Sequence, residues 1–144
     1  MSGCLFGDAD FRAITNASFL TLADGMPVYW VARAQGRGGH VPGPDFMRLA
    51  LDRFRSRRHF LYGSSEAVLA RLSAKLHEAF PGIDICGVIS PPFRPLTPQE
   101  DAEIVQVIND SGAQLVWVGL STPKQERWMT EHVARLRANA LFGV

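Results

Sequence analysis

From residue 59 onward the sequence alternates short apolar runs with longer amphipathic segments, and this alternation constrains the fold more than any other feature. Apolar runs cover residues 59–63, 83–89 and 114–120, and a last run, ALFGV, covers residues 140–144. Runs of this length are typical of buried strands, and the amphipathic segments between them are typical of covering helices. The pattern predicts an α/β fold, with a Rossmann-like, mostly parallel sheet and helices on both faces.

Helix start signals lie between these runs. Thr97 and Glu100 have the spacing of a capping box, in which each side chain bonds to a backbone N–H at the start of a helix. Thr122 and Gln125 repeat this spacing before the last amphipathic segment. Ser65 gives a third start signal, because serine is a common helix cap. The predicted helices cover residues 65–80, 97–111 and 122–136.

The first 58 residues follow the strand and helix patterns less regularly. They predict a short helix over 8–16, a strand over 18–25, the start of a helix over 28–35, a loop over 36–45 and a helix over 45–58. Several arginines lie at the end of the last helix, where they fit either a solvated terminus or a contact with anionic lipid headgroups. These arginines are Arg53, Arg55, Arg57 and Arg58.

Composition and charge exclude several classes of protein. The 144 residues carry 15 Lys+Arg and 14 Asp+Glu, and this formal net charge of +1 gives no overall attraction to nucleic acid. The two cysteines form no disulfide framework, and the four histidines have no metal-ligand spacing. No apolar run has the length of about 18 residues that a membrane-spanning helix needs, and the first residues show no secretory signal. We therefore expect a cytoplasmic protein.

Small and polar residues follow the predicted strands, at the carboxyl ends where α/β sheets bind their ligands. Backbone N–H groups at helix starts bind phosphate without lysine, so we expect a phosphorylated ligand at this edge. The dinucleotide fingerprint and the Walker sequence are both absent, which disfavours NAD-linked and P-loop chemistry. The strand-end segments are Asp24-Gly25, Gly63-Ser64-Ser65, Ser90-Pro91-Pro92-Phe93 and Gly119 to Gln125.

Each of these segments also has a purely structural explanation. Ser65 is explained by helix capping alone, and Thr122 is explained by the capping box that it forms with Gln125. Asp24 either initiates a turn with the glycine that follows it or serves as a general base. Gln125 lies between two charged residues at a predicted strand end, so a ligand contact and a capping role both stay open for it.

Six short segments, spread over most of the chain, carry a resemblance to a known family. They are ADGMPVYW (23–30), GPDFM (43–47), FLYGSS (60–65), SPPF (90–93), IND (108–110) and VGLSTPKQERWM (118–129). Together they resemble the WecG/TagA/CpsF family of bacterial glycosyltransferases, glycosyltransferase family 26. The Ala-Asp-Gly segment and the Pro-Lys-Gln-Glu-x-Trp segment are the most specific.

The resemblance implies an inverting enzyme that needs no metal or other cofactor. Such enzymes transfer a sugar, usually N-acetylmannosamine, from a UDP donor to a polyprenyl-diphosphate-linked N-acetylglucosamine. Asp24 matches the proposed general base of the family, and Gln125 matches a glutamine that lines the donor pocket. The strand-end positions and the resemblance together give these predicted substrate-binding residues: Gly25, His40, Asp45, Gly63, Ser64, Ser65, Pro92, Phe93, Gly119, Lys124, Gln125 and Glu126.

The sequence departs from the family pattern in three places. A family strand with a Thr-x-Asn segment precedes the helix that begins here near residue 8, and this chain has only MSGCLFG there. His40 replaces a family arginine, so a fixed positive charge becomes a group that is largely neutral at pH 7. The family also continues beyond the last strand into a Gly-x-x-Phe-Asp segment and a basic tail. We therefore expect residues 1–144 to be a single glycosyltransferase domain that is incomplete relative to the family.

The predicted partners follow from the same resemblance. They are a UDP-sugar and a lipid-linked acceptor, with contact at the inner face of the plasma membrane and no nucleic acid. A second copy of the chain is also a predicted partner, because a last strand without a covering helix leaves an edge exposed. Two alternatives remain: a non-catalytic relative that keeps only the nucleotide-binding scaffold, and a relative that transfers glucose or a uronic acid in exopolysaccharide assembly.

Overall fold

The computed structural model describes residues 13, 14, 17, 18 and 42–144. The chain divides into two compact units, Met1–Arg53 and Phe54–Val144. In the first unit Ala13, Ile14 and Ala17 are helical, in agreement with the predicted short helix. The backbone N–H and the hydroxyl of Ser18 both donate to the carbonyl oxygen of Ile14, at 3.1 Å each, so the predicted strand does not begin at residue 18.

Several predictions for the first unit lie outside the described residues. They are the rest of the strand over 18–25, the helix start over 28–35 and the loop up to residue 41. Three predicted site residues lie there as well: Asp24, Gly25 and His40.

Helix α1 spans Gly43–Arg53, so it begins two residues earlier and ends five residues earlier than the prediction over 45–58. Its first turn includes a bond from the backbone N–H of Phe46 to the carbonyl of Pro42, at 3.0 Å. The prediction was wrong at the carboxyl end because residues 54–56 form a turn and Arg58 already belongs to a strand. Of the four arginines assigned to that helix, α1 contains only Arg53.

The described part of the second unit contains four strands in one parallel sheet. They are β1 (Arg58–Gly63), β2 (Asp84–Ile89), β3 (Leu115–Gly119) and β4 (Ala140–Gly143). Their order across the sheet is β2-β1-β3-β4, and every neighbouring pair is parallel. The predicted apolar runs are confirmed as strands, and each strand end lies within one residue of the predicted end.

Three helices connect these strands: α2 (Glu66–Ala79), α3 (Pro98–Asp110) and α4 (Lys124–His132). Strand β2 lies on one side of β1. After β2 the chain crosses to the other side of β1, where it forms β3 and then β4. Because parallel crossovers are right-handed, α2 covers one face of the sheet and α3 and α4 cover the opposite face. The predicted α/β fold, with helices flanking a parallel sheet, is confirmed.

The core of this unit lies between the sheet and the helices α3 and α4. Alternate residues along a strand face the same side of a sheet. Each of the central strands, β1 and β3, contributes two side chains to the cluster of buried residues that forms this core. Ile108 of α3 and Trp128 of α4 pack on these residues, and Leu136 completes the cluster after α4 ends. The four sheet residues are Phe60, Tyr62, Val116 and Val118.

One of the two predicted capping boxes is present. Thr97 Oγ1 accepts from the backbone N–H of Glu100 at 3.2 Å, and a Glu100 carboxylate oxygen accepts from the N–H of Thr97 at 2.8 Å. The prediction of a capping box at Thr122 was wrong, because the carbonyl oxygen of Ser121 accepts the hydrogen bond from the N–H of Gln125, at 3.2 Å. The hydroxyl of Thr122 donates instead to Glu126 Oε1 at 3.0 Å.

Helix α4 also ends earlier than predicted, at His132 rather than Leu136. The carbonyl of His132 accepts from the N–H groups of Arg135 and Leu136, at 2.9 and 3.0 Å, which closes a turn in place of another helical turn. The chain then reaches β4 through Asn139, whose N–H donates to the carbonyl of Gln114 at 2.8 Å.

A histidine is fully buried at the start of the central strand β1. His59 Nδ1 accepts from the indole N–H of Trp117 at 3.1 Å, so Nε2 carries the ring proton and donates to the carbonyl of Phe54 at 3.0 Å. Burial lowers the pKa of His59, against the smaller opposing effects of the Phe54 carbonyl and the charge of Asp84. The neutral ring therefore joins β1, β3 and the turn before β1.

Candidate functional site

The strand order reverses between β1 and β3, and the ends of these two strands approach each other closely. Gly63 and Gly119 are paired there, and a Cβ added to Gly63 would lie only 2.5 Å from the carbonyl oxygen of Gly119. Gly63 also has φ +114°, which side-chain-bearing residues rarely adopt. We call this place the crevice; it is the switch point at which open α/β sheets bind ligands.

The residues that follow Gly63 shape one side of the crevice. Ser64 has φ +59°, and its carbonyl oxygen accepts from the Ser90 hydroxyl at 2.7 Å, which joins the loops after β1 and β2. Ser65 caps α2, since its side chain accepts from the N–H of Val68 at 3.4 Å. The capping explanation for Ser65 is confirmed, and its contact with a nucleotide stays a prediction.

The first turn of α4 brings Lys124, Gln125 and Glu126 to the same edge. The side-chain amide of Gln125 donates to Glu126 Oε1 at 3.3 Å, which fixes the direction of that amide. A Cβ added to Gly143 would lie 3.0 Å from Gln125 Nε2, so the Gln125 side chain lies against the end of β4. Gln125 Oε1 and Glu126 Oε2 are buried without a hydrogen-bond partner. Both atoms are acceptors, and they lack donors.

A cavity of about 360 Å³ opens beside the crevice, on the side of the sheet that α3 and α4 cover. One wall is residues 91–98, the proline segment, and the other side is formed by α4. Its lining includes Tyr62, Pro91, Pro92, Pro95, Leu96, Pro98, Asp101, Leu120, Lys124, Arg127, Trp128, Glu131 and His132.

An ion pair braces the proline segment. The guanidinium of Arg94 donates to both carboxylate oxygens of Glu100, at 2.6 and 2.8 Å, in the two-pronged geometry that arginine favours. The hydrogen bonds from Arg94 and then from the backbone of Thr97 lower the pKa of Glu100 to about 2. The brace therefore ties the segment to the first turn of α3.

A column of stacked rings crosses the inner side of the cavity. Tyr62 stacks on Trp128 with ring centroids 4.3 Å apart, and Trp128 stacks on His132 at 4.2 Å. Burial, together with the charge of Asp101, raises the pKa of Tyr62 to about 12, so its phenol keeps its proton near neutral pH. The indole nitrogen of Trp128 is buried without a partner.

His132 joins this column to an ionic network between α3 and α4. Its Nε2 lies 2.7 Å from Asp101 Oδ1, and its Nδ1 lies 2.7 Å from the carbonyl oxygen of Trp128. Both partners are acceptors, so a ring nitrogen of His132 that carries a proton donates to one or the other of them. Burial raises the pKa of Asp101, but hydrogen bonds from Arg135 and His132 outweigh burial and hold it below its usual value.

The structure brings together some of the predicted substrate-binding residues. Gly63 and Gly119 meet at the crevice, and Pro92 and Lys124 meet at the cavity. Phe93 does not line the cavity, and its side chain is 89% exposed. Asp45 lies exposed in the first turn of α1, in the first unit.

Sequence reasoning missed several residues at the cavity, among them Tyr62, Asp101 and His132. Asp101 and His132 are 31 positions apart on different helices, so no local spacing in the sequence predicts their contact. Trp128 and Trp117 are both buried. The one available signal for Tyr62 was its place directly before Gly63 at a strand end.

A parallel sheet with paired glycines at its switch point and a cavity at its carboxyl edge defines a ligand-binding α/β protein. The model of the glycosyl transferase WecG/TagA/CpsF family matches residues 3–144. The chain therefore belongs to this family of glycosyltransferases. Within the described residues, no helix has the length and apolar character needed to cross a membrane.

Proposed function

We propose that this protein transfers a sugar from a UDP donor to a lipid-linked sugar acceptor, in the synthesis of a cell-surface polysaccharide or teichoic acid. The donor sugar is N-acetylmannosamine, and the acceptor is N-acetylglucosamine on a polyprenyl diphosphate. Membership in a glycosyltransferase family supports the reaction class. The donor, the acceptor and a position at the inner face of the cytoplasmic membrane rest on the resemblance of the sequence segments.

The observation that carries this proposal is the glycine pair at the crevice. The lack of a side chain on Gly63 lets β1 and β3 end in close contact, and a Cβ on Gly119 would meet only the carbonyl oxygen of Tyr62, at 4.0 Å, so a ligand can approach the backbone of Gly119 where β3 ends. The helix α2 starts directly after this point, and its first N–H groups and dipole favour an anion. This combination suits the diphosphate of a nucleotide sugar and needs no metal to offset the charge.

The unpartnered oxygens in α4 support a separate place for the sugar. Gln125 Oε1 and Glu126 Oε2 lack donors, and a phosphate group at pH 7 offers acceptors almost exclusively. Sugar hydroxyls and amide N–H groups do supply donors. The sugar therefore lies toward Gln125 and Glu126, and the diphosphate lies toward α2.

Transfer with inversion requires a base for the acceptor hydroxyl. In this proposal Asp24 takes the proton from that hydroxyl as its oxygen attacks the anomeric carbon, and the bond from this carbon to the diphosphate oxygen breaks. UDP leaves with the electron pair of that bond. The N–H groups and the dipole at the start of α2 stabilise the charge that develops on the departing diphosphate.

Calorimetric titration of the protein with UDP, UDP-N-acetylmannosamine and NAD tests the proposal. We expect both uridine ligands to bind and NAD to show no binding, because the dinucleotide fingerprint is absent from the sequence. Binding of NAD without binding of any uridine nucleotide would overturn the proposed function.

A further inference from the structure

Glu126 lies next to Gln125 in the first turn of α4, and its carboxylate is bonded to two neighbouring side chains. We infer that Glu126 is a positioning residue of the transfer reaction. Its carboxylate turns the side-chain amide of Gln125 so that the carbonyl oxygen, and not the NH₂ group, faces the donor sugar. This inference rests on the proposed function, in which the donor sugar lies beside Gln125.

The two carboxylate oxygens of Glu126 have different surroundings. Oε1 accepts from the hydroxyl of Thr122 at 3.0 Å and from the side-chain NH₂ group of Gln125 at 3.3 Å, whereas Oε2 is buried without a partner. The hydroxyl of Thr122 therefore holds Oε1 where the Gln125 amide meets it. The helix dipole favours a negative charge in the first turn of α4, which supports a carboxylate at this position.

This carboxylate permits only one orientation of the Gln125 amide. An ionised carboxylate accepts hydrogen bonds and donates none. If the amide were flipped about its last bond, its oxygen would face Glu126 Oε1, and two acceptors would meet without a proton between them. Such a contact is costly in a partly buried place, because electrostatic interactions are stronger there than in water. Glu126 therefore selects the orientation in which Nε2 faces the carboxylate.

The end of β4 restricts Gln125 from another direction. A Cβ added to Gly143 would lie 3.0 Å from Gln125 Nε2 and 3.3 Å from Met129 Sδ, so the amide is packed between the strand and its own helix. Glycine at position 143 leaves the space that the amide occupies. Because Nε2 is held between Glu126 and β4, Oε1 is the amide atom that is left for a ligand.

The orientation of the amide decides which sugar groups Gln125 can bind. Its Oε1 is buried without a donor, and a ligand that supplies an O–H or N–H removes the cost of this unpaired acceptor. The N–H of an acetamido group, as in the proposed donor sugar, only donates. It can bond to Oε1, and it cannot bond to an NH₂ group.

Calorimetry of Glu126→Gln with UDP and with UDP-N-acetylmannosamine tests the inference. The new side chain can present either its NH₂ group or its oxygen to Gln125, so it no longer selects one orientation. We expect the Kd of UDP-N-acetylmannosamine to rise at least about fivefold, which is the value of one ordinary hydrogen bond, and the Kd of UDP to stay within about twofold. An equal rise for both ligands would overturn the inference.

The matched control is Glu103→Gln. The Glu103 carboxylate also accepts from a glutamine amide, that of Gln99 at 2.9 Å, but it lies exposed on α3 and does not line the cavity. The control removes the same charge and the same kind of hydrogen bond, and it should leave both Kd values within about twofold. A rise for UDP-N-acetylmannosamine equal to that in Glu126→Gln would overturn the inference.

A double-mutant cycle shows whether Glu126 acts through Gln125. The amide is absent in Gln125→Ala, so in that background Glu126→Gln should raise the Kd of UDP-N-acetylmannosamine at least about threefold less than it does in the unaltered protein. An equal rise in the two backgrounds would mean that Glu126 acts on the sugar without positioning Gln125, and would overturn the inference.

Nuclear magnetic resonance of isotope-labelled protein reports the hydrogen bond without any ligand. The side-chain NH₂ signal of Gln125 is identified by its loss in Gln125→Ala. It should shift in Glu126→Gln and in Thr122→Val, and it should stay in place in Glu103→Gln. A signal that shifts in neither test variant would overturn the inference. Thermal unfolding checks that all variants fold, and Thr122→Val, an exposed substitution, keeps the test decisive if Glu126→Gln does not.

The two uridine ligands also separate this inference from the proposed function. If neither UDP nor UDP-N-acetylmannosamine binds the unaltered protein, the proposed function is overturned and the inference with it. If both bind, and Glu126→Gln binds the sugar nucleotide as tightly as the unaltered protein does, the inference alone is overturned.

Discussion

Two separate features require glycine at position 63: its positive φ and the close approach of the Gly119 backbone. The two can be tested separately. Gly82 also has a positive φ, +83°, but a Cβ there meets nothing within 4 Å. Gly82→Ala should therefore cost about 1 kcal/mol of unfolding free energy from backbone strain alone. Gly63→Ala adds the clash with the Gly119 carbonyl and should cost at least about 2 kcal/mol more.

Denaturant unfolding of both variants, followed by titration with UDP, is the measurement. The clash also separates the ends of β1 and β3, so we expect Gly63→Ala to lose UDP binding while Gly82→Ala retains it. Equal losses of stability in the two variants would mean that the close approach of the two glycines does not matter.

A substitution of Asp24 tests whether this residue is a catalytic base or a residue that only forms a turn. If it is the base, Asp24→Asn should lower kcat by about 10²-fold or more and leave the melting temperature nearly unchanged. A steady-state transfer assay with UDP-N-acetylmannosamine, paired with a thermal melt, measures both quantities. A variant that unfolds readily but transfers sugar at the normal rate while folded would identify Asp24 as a turn residue.

At the scale of elements, two threonines with the same sequence spacing have different roles. Thr97 accepts the N–H of Glu100 and begins α3, whereas Thr122 only donates to the side chain of Glu126. Thr97→Ala should therefore cost about 1 kcal/mol of unfolding free energy, and Thr122→Ala should cost clearly less. Urea unfolding of the two variants decides the comparison, and a larger loss for Thr122→Ala would contradict the assignment of the caps.

The strands and helices were the predictable part of this fold. A run such as residues 114–120 is apolar because β3 is covered on both faces, so its sequence alone indicates a buried strand. The capping signal at Thr122 failed because a nearby carbonyl, that of Ser121, competed for the same N–H. Sequence spacing predicts which bonds a side chain can make, and it does not reveal competing backbone partners.

The candidate site was less predictable than the elements. Gly63 and Gly119 were recognised as strand-end residues, but their contact depends on the register between β1 and β3. The column of Tyr62, Trp128 and His132 depends on how α4 lies on the sheet. Contacts between elements distant in sequence leave no local pattern, and for this reason the cavity was not foreseen.

At the scale of the whole molecule, the buried neutral His59 predicts a loss of stability in acid. Its pKa in the folded state is below 6.5, so the unfolded chain binds the proton first as the pH falls. The stability from His59 is complete above pH 6.5 and is lost between 6.5 and its folded pKa. The slope contributed by one proton is at most about 1.4 kcal/mol per pH unit.

Unfolding free energies measured by urea between pH 7.5 and pH 5 test this dependence. His59→Gln removes the titrating ring, and we expect its stability to depend less on pH in this range even though its absolute stability is lower. If the slope of unfolding free energy against pH is unchanged in His59→Gln, the loss of stability in acid belongs to another group. Asp101 contributes only in stronger acid, because its pKa in the folded state is below 3.8, so its stability is complete above pH 3.8 and is lost as the pH falls from 3.8 to the folded pKa.

The crevice and the cavity share three loops, because Gly63, Ser90 and Gly119 lie at the crevice and the sequence neighbour of each, Tyr62, Pro91 or Leu120, lines the cavity. A ligand that reorders Gly63, Ser90 or Gly119 also acts on the neighbouring residues that line the second site. The affinities of the two ligands are then linked, and each must change the binding constant of the other by the same factor.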